Sequence, residues 1–462
     1  MRLINQSLAS LFLVLVIMFS FVQGIKSQPL TRFVLSEDQQ SVMRPIYVDH
    51  SLADALPPVY SQVYFPNCEQ AAAIFHGFAY EYNSLMQLSG KDTCNQYPAN
   101  FTYNFYNQNT QQGVSFFDSF KILYEAGQAN HKEFGLDHSV GGLHWMNGEE
   151  KWESAMKRRI DRLYSFDLTT ETGQEVLKHW IYNHGNGSAS GGVAVLTMGS
   201  AEVFPSPSDT CPLNYIPFIK KVASNYSHAL LIIGYHDSTF FDMNNDGKIT
   251  TDIDLNSDGK IDLRDSEYGS WIVLNSFGSG FYYNGILQLP YCLSALSYPQ
   301  FGLCNGEAYG MVPIQGQPKL TVTFNLKYNK RDKLSLRVGF NEDLDAEWPS
   351  KMQDIAILNN VGGPHYMQGS DELIENRYIE MAADITPLYA SFPANKPVRL
   401  YLVLDENDSE SEGDGYLLSW KVKENGVVIG QMDDSVSIKN NSLTIQSLLI
   451  GNFQKHKFDF FL

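Results

Sequence analysis

Two apolar runs constrain this chain more than any other feature: "HALLIIGY", which starts at His228, and "SWIVL", which ends at Leu274. Runs of this length without polar interruption suit strands buried on both faces of a sheet. Each carries a polar residue at one end, His228 before the first and Asn275 after the second. If the two strands pair, those residues meet. A histidine at a strand mouth is, taken alone, more often a satisfied core residue than a working one. Partners elsewhere in the chain decide between the two.

The chain has 462 residues, which as a soft prior means roughly two or three domains with full cores. Its formal net charge of −18 would repel a phosphate backbone, so no nucleic-acid partner is expected. Arg2 followed by the apolar stretch Leu8 to Val22 has the form of a signal peptide, 1–24, and is too short for a membrane span. A secreted, extracellular protein without a membrane span is expected. Five cysteines, Cys68, Cys94, Cys211, Cys292 and Cys304, then predict two disulfides and one remaining thiol.

Residues 25–46 form a short polar lead. The run "CEQAAAIFHGFAYEYNSLMQLS" has apolar groups at helical spacing and predicts a helix from Cys68, with Asn67 as its N-cap. A second helix is expected over 174–187 with a Gly/Asn stop, then a buried strand in "GGVAVLTM". Beyond Pro318 short alternating runs such as "KLTVTFNLKY", "KLSLRVGF" and "VRLYLVLD" predict an antiparallel β-sandwich. Within it "DENDSESEGDG" reads as a solvated acidic loop.

A thiol hydrolase needs a thiolate, an imidazole to carry the proton, a group to orient that imidazole and donors for the oxyanion. Cys68 at a helix N-terminus, where the dipole lowers a thiol pKa, joins His228 and Asn275 in that list. At this point the sequence resembles the papain-like cysteine peptidases. "VDHSLADALPPVYSQVYFPNC" matches the length of their opening segment, and Gln62 lies six residues before Cys68, the spacing of their oxyanion-hole glutamine. "SHALLIIGYHD" and "NSFGSGFYYNGI" match their histidine and asparagine blocks, and "LKHWIYNHGNGSASGGVAVLTM" and "CNGEAYGMVPI" resemble later segments. The resemblance covers residues 47–315. It implies Cys68 as nucleophile, His228 as base, Asn275 as orienting amide, Gln62 as oxyanion donor, and a protein or peptide substrate.

The departures are specific. Glu69 stands where the family has tryptophan, Phe65 where it has a second cysteine, and Phe277 where an indole covers the His/Asn pair. A rival register equates Cys68 with the earlier cysteine, puts Ala71 at the nucleophile position and matches Glu81 to a glutamate of the family's helix. Under it the chain is an inactive scaffold. The lead is also too short for the family's inhibitory pro-segment, so control of activity is expected to lie elsewhere.

Between the two strands lies an insert, 242–267, with two copies of D-x-N-x-D-G-K-I twelve residues apart. Asp254, Asn256, Asp258, the Lys260 carbonyl, Asp262 and Asp265 fall at the ligand positions of a calcium loop, with Gly259 at its sharp turn. The first copy supplies Asp242, Asn244 and Asp246, with Asp252 one residue early for the closing acid. Structural Ca2+ is the expected cofactor.

The expectation is therefore an α+β chain: a papain-like two-lobed peptidase domain, 47–315, followed by an antiparallel β-sandwich domain, 316–462. The leading function is a secreted thiol endopeptidase. The alternatives are an inactive scaffold that binds a carbohydrate or protein ligand through its sandwich, and a thiol transferase.

Overall fold

The computed structural model describes residues 30–451, apart from 63–64, 109–111, 206–208, 224–227, 298–299, 301, 394–395 and 412. The expected signal peptide and the start of the lead lie outside the described residues. The chain forms two compact units, Gln28–His144 with Lys157–Gly316, and Trp145–Met156 with the residues from Gln317 onward.

The first unit is built on a 10-stranded mixed sheet. From one edge its path runs through Thr31–Arg32, Arg158–Asp167, Leu303–Gln315, Ala194–Met198, His228–Phe240, Tyr268–Leu274, Ile286–Pro290, Phe218–Val222 and Ala201–Phe204, with Tyr47–Asp49 beside His228–Phe240. The two diagnostic apolar runs sit at its centre. Leu231, Ile233, Ile272 and Leu274 enter one core with Ile74, Phe78 and Met311. Leu230, Ile232, Trp271 and Val273 enter another with Leu177, Trp180 and Leu196. Burial on both faces is why these strands lack polar alternation.

The helix from Cys68 is continuous to Met86 but changes character, with Cys68–Gln70 α-helical, Ala71–Phe78 π-helical and Ala79–Met86 α-helical again. Its small residues let it lie close to the sheet. A Cβ on Gly77 would come within 3.2 Å of Leu231 Cδ1 and 3.1 Å of the Ala72 carbonyl. The second expected helix, Glu171–Asn183, starts three residues early because Thr170 caps it through the Gly173 amide, and ends where His184 turns left-handed at φ 55°.

The lead is fastened along this unit. Thr31 and Arg32 pair in parallel with Tyr164 and Ser165, and Phe33 meets the rings of Tyr164, Phe166 and Trp180. Arg44 forks onto Glu175 at 2.5 and 2.6 Å and reaches Asp237 at 2.6 Å. Lys178 and the Tyr291 hydroxyl complete the shell around Asp237, both at 2.9 Å.

The second unit holds two antiparallel sheets. One orders Tyr378–Asp384, Leu320–Tyr328, Gly415–Glu424 and Val427–Met432, with Val436–Ser437 beside Gly415–Glu424; the other orders Lys351–Asn359, Leu334–Asn341, Val398–Glu406 and Leu443–Ile450. Inward-facing Leu334, Leu336, Val338 and Phe340 alternate along one strand, as a period of two requires. An excursion from earlier in the chain belongs to this unit. Trp145 and Trp152 are fully buried in it, the Arg331 guanidinium lies 4.2 Å over the Trp145 ring, and Glu149 on helix Glu149–Ala155 pairs with Lys421 and Lys423.

Two expectations are corrected. The acidic run is not wholly solvated: Glu406 and Asp408 are 1% exposed, Glu406 accepting from the Tyr328 hydroxyl at 2.6 Å and Asp408 from the Gly413 amide at 2.7 Å. All five cysteines are described and no disulfide joins any of them. Cys94 is exposed on a short turn, Cys292 is buried, and the Cys211 sulfur bonds to Pro212 and Phe240 backbone.

Candidate active site

Strands His228–Phe240 and Tyr268–Leu274 pair antiparallel, with Leu231 opposite Leu274 and Ile232 opposite Val273. The start of one strand and the end of the other therefore fall at the same edge, and His228 Nε2 lies 2.9 Å from Asn275 Oδ1. That oxygen also accepts the Ser276 amide at 2.7 Å, which fixes it as an acceptor. The imidazole proton must then sit on Nε2, leaving the Nδ1 lone pair free to act as a base. Phe277 stacks on the ring at 4.9 Å and 23°. Burial lowers the His228 pKa below the ordinary histidine value, against the opposing pull of the Asn275 bond.

Cys68 begins the long helix and is 6% exposed. The first turn of its helix packs against strand His228–Phe240. The expected depressed thiol is corrected: burial pushes the Cys68 pKa up, and the Glu69 carboxylate adds to this. Ala71, the rival nucleophile position, is fully buried in a small cluster with Tyr60, Phe75 and Ala99. Asn67, expected to cap the helix, makes no capping bond.

Gln62 is tied to the same strand end. Its amide donates to Ser276 O at 2.9 Å, Ser276 Oγ donates to its Oε1 at 2.6 Å, and its Nε2 donates to Phe65 O at 3.2 Å. Glu69 Oε2 accepts the Phe116 amide at 2.8 Å, joining the first turn of the cysteine helix to that of helix Phe116–Glu125.

A half-buried histidine lies elsewhere in this unit. His184 sets Nε2 2.8 Å from Glu81 Oε2 and Nδ1 2.8 Å from Ser190 O. Both partners only accept, so both ring nitrogens carry protons and the ring is an imidazolium. Burial alone would lower its pKa, but the Glu81 carboxylate and the Ser190 carbonyl outweigh it and raise the value.

The two copies of the acidic repeat fold alike. Asp246 N donates to Asp242 at 3.1 Å and to Asn244 at 3.0 Å; Asp258 N donates to Asp254 at 3.1 Å and to Asn256 at 2.9 Å. Gly247 and Gly259 make the same turn at φ 79° and 82°, which a side chain would strain. Asp265, fully buried, closes the second loop by accepting Leu255 N at 2.8 Å and Asp262 N at 2.9 Å. Glu267, 1% exposed, closes the first by accepting the equivalent amides of Met243 and Thr250, both at 2.7 Å. Asp252, the expected closing acid, is exposed. The sequence did not single out Glu267, because it follows the second loop rather than the first. Arg264 meets Asp258 at 2.8 Å and also pairs with Asp262, so one guanidinium charge is already shared by two acids of the second loop. The Lys260 amide bonds to Asp258 at 3.0 Å. Among the described residues, no group of three or more His, Cys, Asp or Glu side chains is gathered to hold a metal ion.

No family profile and no curated protein matches the sequence. Solved structures similar to it include xylellain, a cysteine protease from Xylella fastidiosa, at 13% identity and a TM-score of 0.39, covering 63% of this chain and 94% of that one. Digestive procathepsin L2 proteinase from Tenebrio molitor larval midgut is similar at 14% identity and a TM-score of 0.38, over 63% and 76% of the two chains. The bromelain protease from Ananas comosus in complex with the E64 inhibitor is similar at 14% identity and a TM-score of 0.36, over 58% and 99%. Among the described residues no helix is long and apolar enough to cross a membrane.

Proposed function

We propose that this chain is a secreted thiol peptidase with a papain-like two-lobed catalytic domain and a β-sandwich accessory domain. The observation that carries the reading is the bond from His228 Nε2 to Asn275 Oδ1, with the first turn of the Cys68 helix packed against the strand of His228. Asn275 fixes the tautomer, so Nδ1 accepts the thiol proton as sulfur attacks a peptide carbonyl. The carbonyl oxygen, as it gains charge, is met by the Cys68 amide and by the second Nε2 hydrogen of Gln62, whose carboxamide Ser276 orients. His228 then returns the proton to the leaving amine, and water releases the acyl group by the reverse sequence.

Calcium belongs to the same reading as a structural ion. Asp254, Asn256, Asp258, the Lys260 carbonyl, Asp262 and Asp265 would hold it in the second loop, with Asp242, Asn244, Asp246 and, in place of Asp252, Glu267 contributing to the first. The repeated turn geometry favours this, and Arg264 competes with it in the second loop. The accessory domain takes a carbohydrate or protein ligand.

The decisive test compares wild type and Cys68→Ala on an unfolded protein substrate, with mapping of the residue labelled by an epoxide thiol inhibitor. Cleavage that survives Cys68→Ala removes the nucleophile assignment. Wild type that neither cleaves nor labels makes the chain an inactive scaffold. For the ion, EDTA should lower melting temperature and turnover together and calcium should restore both; a chelated protein with unchanged melting holds no structural calcium.

A further inference from the structure

One sheet of the second unit leaves two large aromatic rings open to water on its outer face. Tyr378 and Tyr416 are 41% and 39% exposed. Both stand directly opposite Lys327 in antiparallel register, Tyr378 on one neighbouring strand and Tyr416 on the other. Residues opposite one another across strands point to the same side, and Val322, Phe324 and Leu326 fill the buried side of the middle strand. The three residues therefore form one row on the outer face. Neighbouring strands lie about 4.8 Å apart, so the rings stand about 10 Å apart with the lysine midway, the distance after which an extended β-1,4-linked sugar chain shows the same face again.

The next row on this face is polar: Glu380, Asn325 and Ser419, again in register. Hydrogen-bonding groups thus lie beside each ring. A sugar asks for that combination, since its C–H face stacks on an aromatic ring while its hydroxyl rim needs donors and acceptors. A protein partner is held best by apolar anchors gathered in a closed pocket, whereas a charge interrupts this row. Lys327 Nζ lies 5.3 Å from the centre of the Tyr378 ring and, among the described residues, has no carboxylate partner. Farther along the face Lys421 and Lys423 are neutralised by Glu149, and Glu380 turns its carboxylate to the Glu149 amide at 3.4 Å. In a chain of net charge −18, an ammonium left uncompensated between two rings is complementary to an acidic ligand.

We propose that Tyr378, Lys327 and Tyr416 are a binding platform for a β-1,4-linked chain of uronic acids lying across the three strands. Alternate sugars stack on the two tyrosines, and the carboxylate of the sugar between them meets the Lys327 ammonium. This inference rests on the reading of the second unit as an accessory ligand-binding domain, and it names the ligand.

Calorimetry on the full chain tests it with two probes of the same linkage, a β-1,4-mannuronate hexasaccharide and neutral cellohexaose. The mannuronate should bind at least about tenfold more tightly, and the gap should close as salt is raised. Tyr378→Ala and Tyr416→Ala should each weaken mannuronate binding about tenfold without lowering the melting temperature, and Tyr416→Phe should keep it. Lys327→Gln should bring mannuronate down to the level of cellohexaose. Replacing Leu373 and Ile374, exposed on the turn before Tyr378, by serine should change nothing. Mannuronate that binds both alanine variants as tightly as wild type overturns the platform and leaves the accessory domain a ligand elsewhere. Equal binding of the two hexasaccharides overturns it as well, because Lys327 then selects nothing. So does no binding of either; a raised KM for unfolded protein in the alanine variants would then make the ligand of this face a protein.

Discussion

His228, buried, and His184, half-buried, both lie in the first unit, and both are bonded through Nε2 to a side-chain oxygen. They are nonetheless opposite devices. His228 faces a neutral amide, so burial dominates, its pKa falls and one nitrogen stays free for a proton. His184 faces a carboxylate and a carbonyl, so its pKa rises and both nitrogens are committed. The partner's charge, more than the depth of burial, decides whether a buried histidine exchanges a proton or keeps it.

Deleting each ring should separate the two roles most sharply. His228→Ala should lower turnover at least about a thousandfold while leaving melting nearly unchanged, since what remains opposite is a neutral amide. His184→Ala should do the reverse. It leaves the Glu81 carboxylate buried without its counter-charge, at a cost of about 3–5 kcal/mol, which for a unit of this size lowers the melting temperature by about 10 °C. Melting curves and turnover on the same preparations would show whether the division holds.

Exchanging partners is the next largest effect. Asn275→Asp gives His228 the environment of His184, so its pKa should rise by more than about one unit and the pH at which it becomes a free base should rise with it. An NMR titration of the ring reads this; a His228 that titrates as before would mean the partner's charge is not what separates the two.

The pH dependence of stability differs in sign between the two rings. The His184 pKa is raised on folding, so its contribution is complete below about 6.5, the unfolded value, and is lost as pH rises through the folded value. The His228 pKa is lowered, so its contribution is complete above about 6.5 and is lost as pH falls through the folded value. Glu81→Gln should flatten only the alkaline side of a melting-temperature profile. Equal flattening on both sides would erase the distinction. The smallest effect is expected of Phe277→Ala, which opens one face of the His228 ring to water and lets its pKa rise toward the ordinary value by less than about one unit.

The central strands and the pair at their ends were legible because a run buried on both faces leaves a mark in the sequence, and a polar residue at its end stands out against it. Other features left no such mark. Asn67 has the best of capping propensities, and only the Tyr60 and Asn100 partners override it. Glu267 closes a loop from which the whole second repeat separates it, so the spacing within the first loop points to Asp252 instead. Glu406 and Asp408 are buried inside a run whose composition suits open water. The raised thiol of Cys68 depends on burial that a helix terminus alone does not reveal. In each case the deciding partner is distant in sequence, and local pattern carries no information about it.

The excursion Trp145–Met156 gives the chain an order of assembly. Its two tryptophans and Met146 are buried among strands that begin at Leu320, so these residues are synthesised well before anything exists to cover them. At ordinary translation rates of about 5–20 residues per second, the wait is on the order of ten to thirty seconds. Through that interval an apolar segment stands open to chaperones and to other nascent chains. Arrival of Arg331, Gly362 and strand Tyr378–Asp384 is then the event that closes it, so a product truncated before Arg331 would be released with its tryptophans still uncovered.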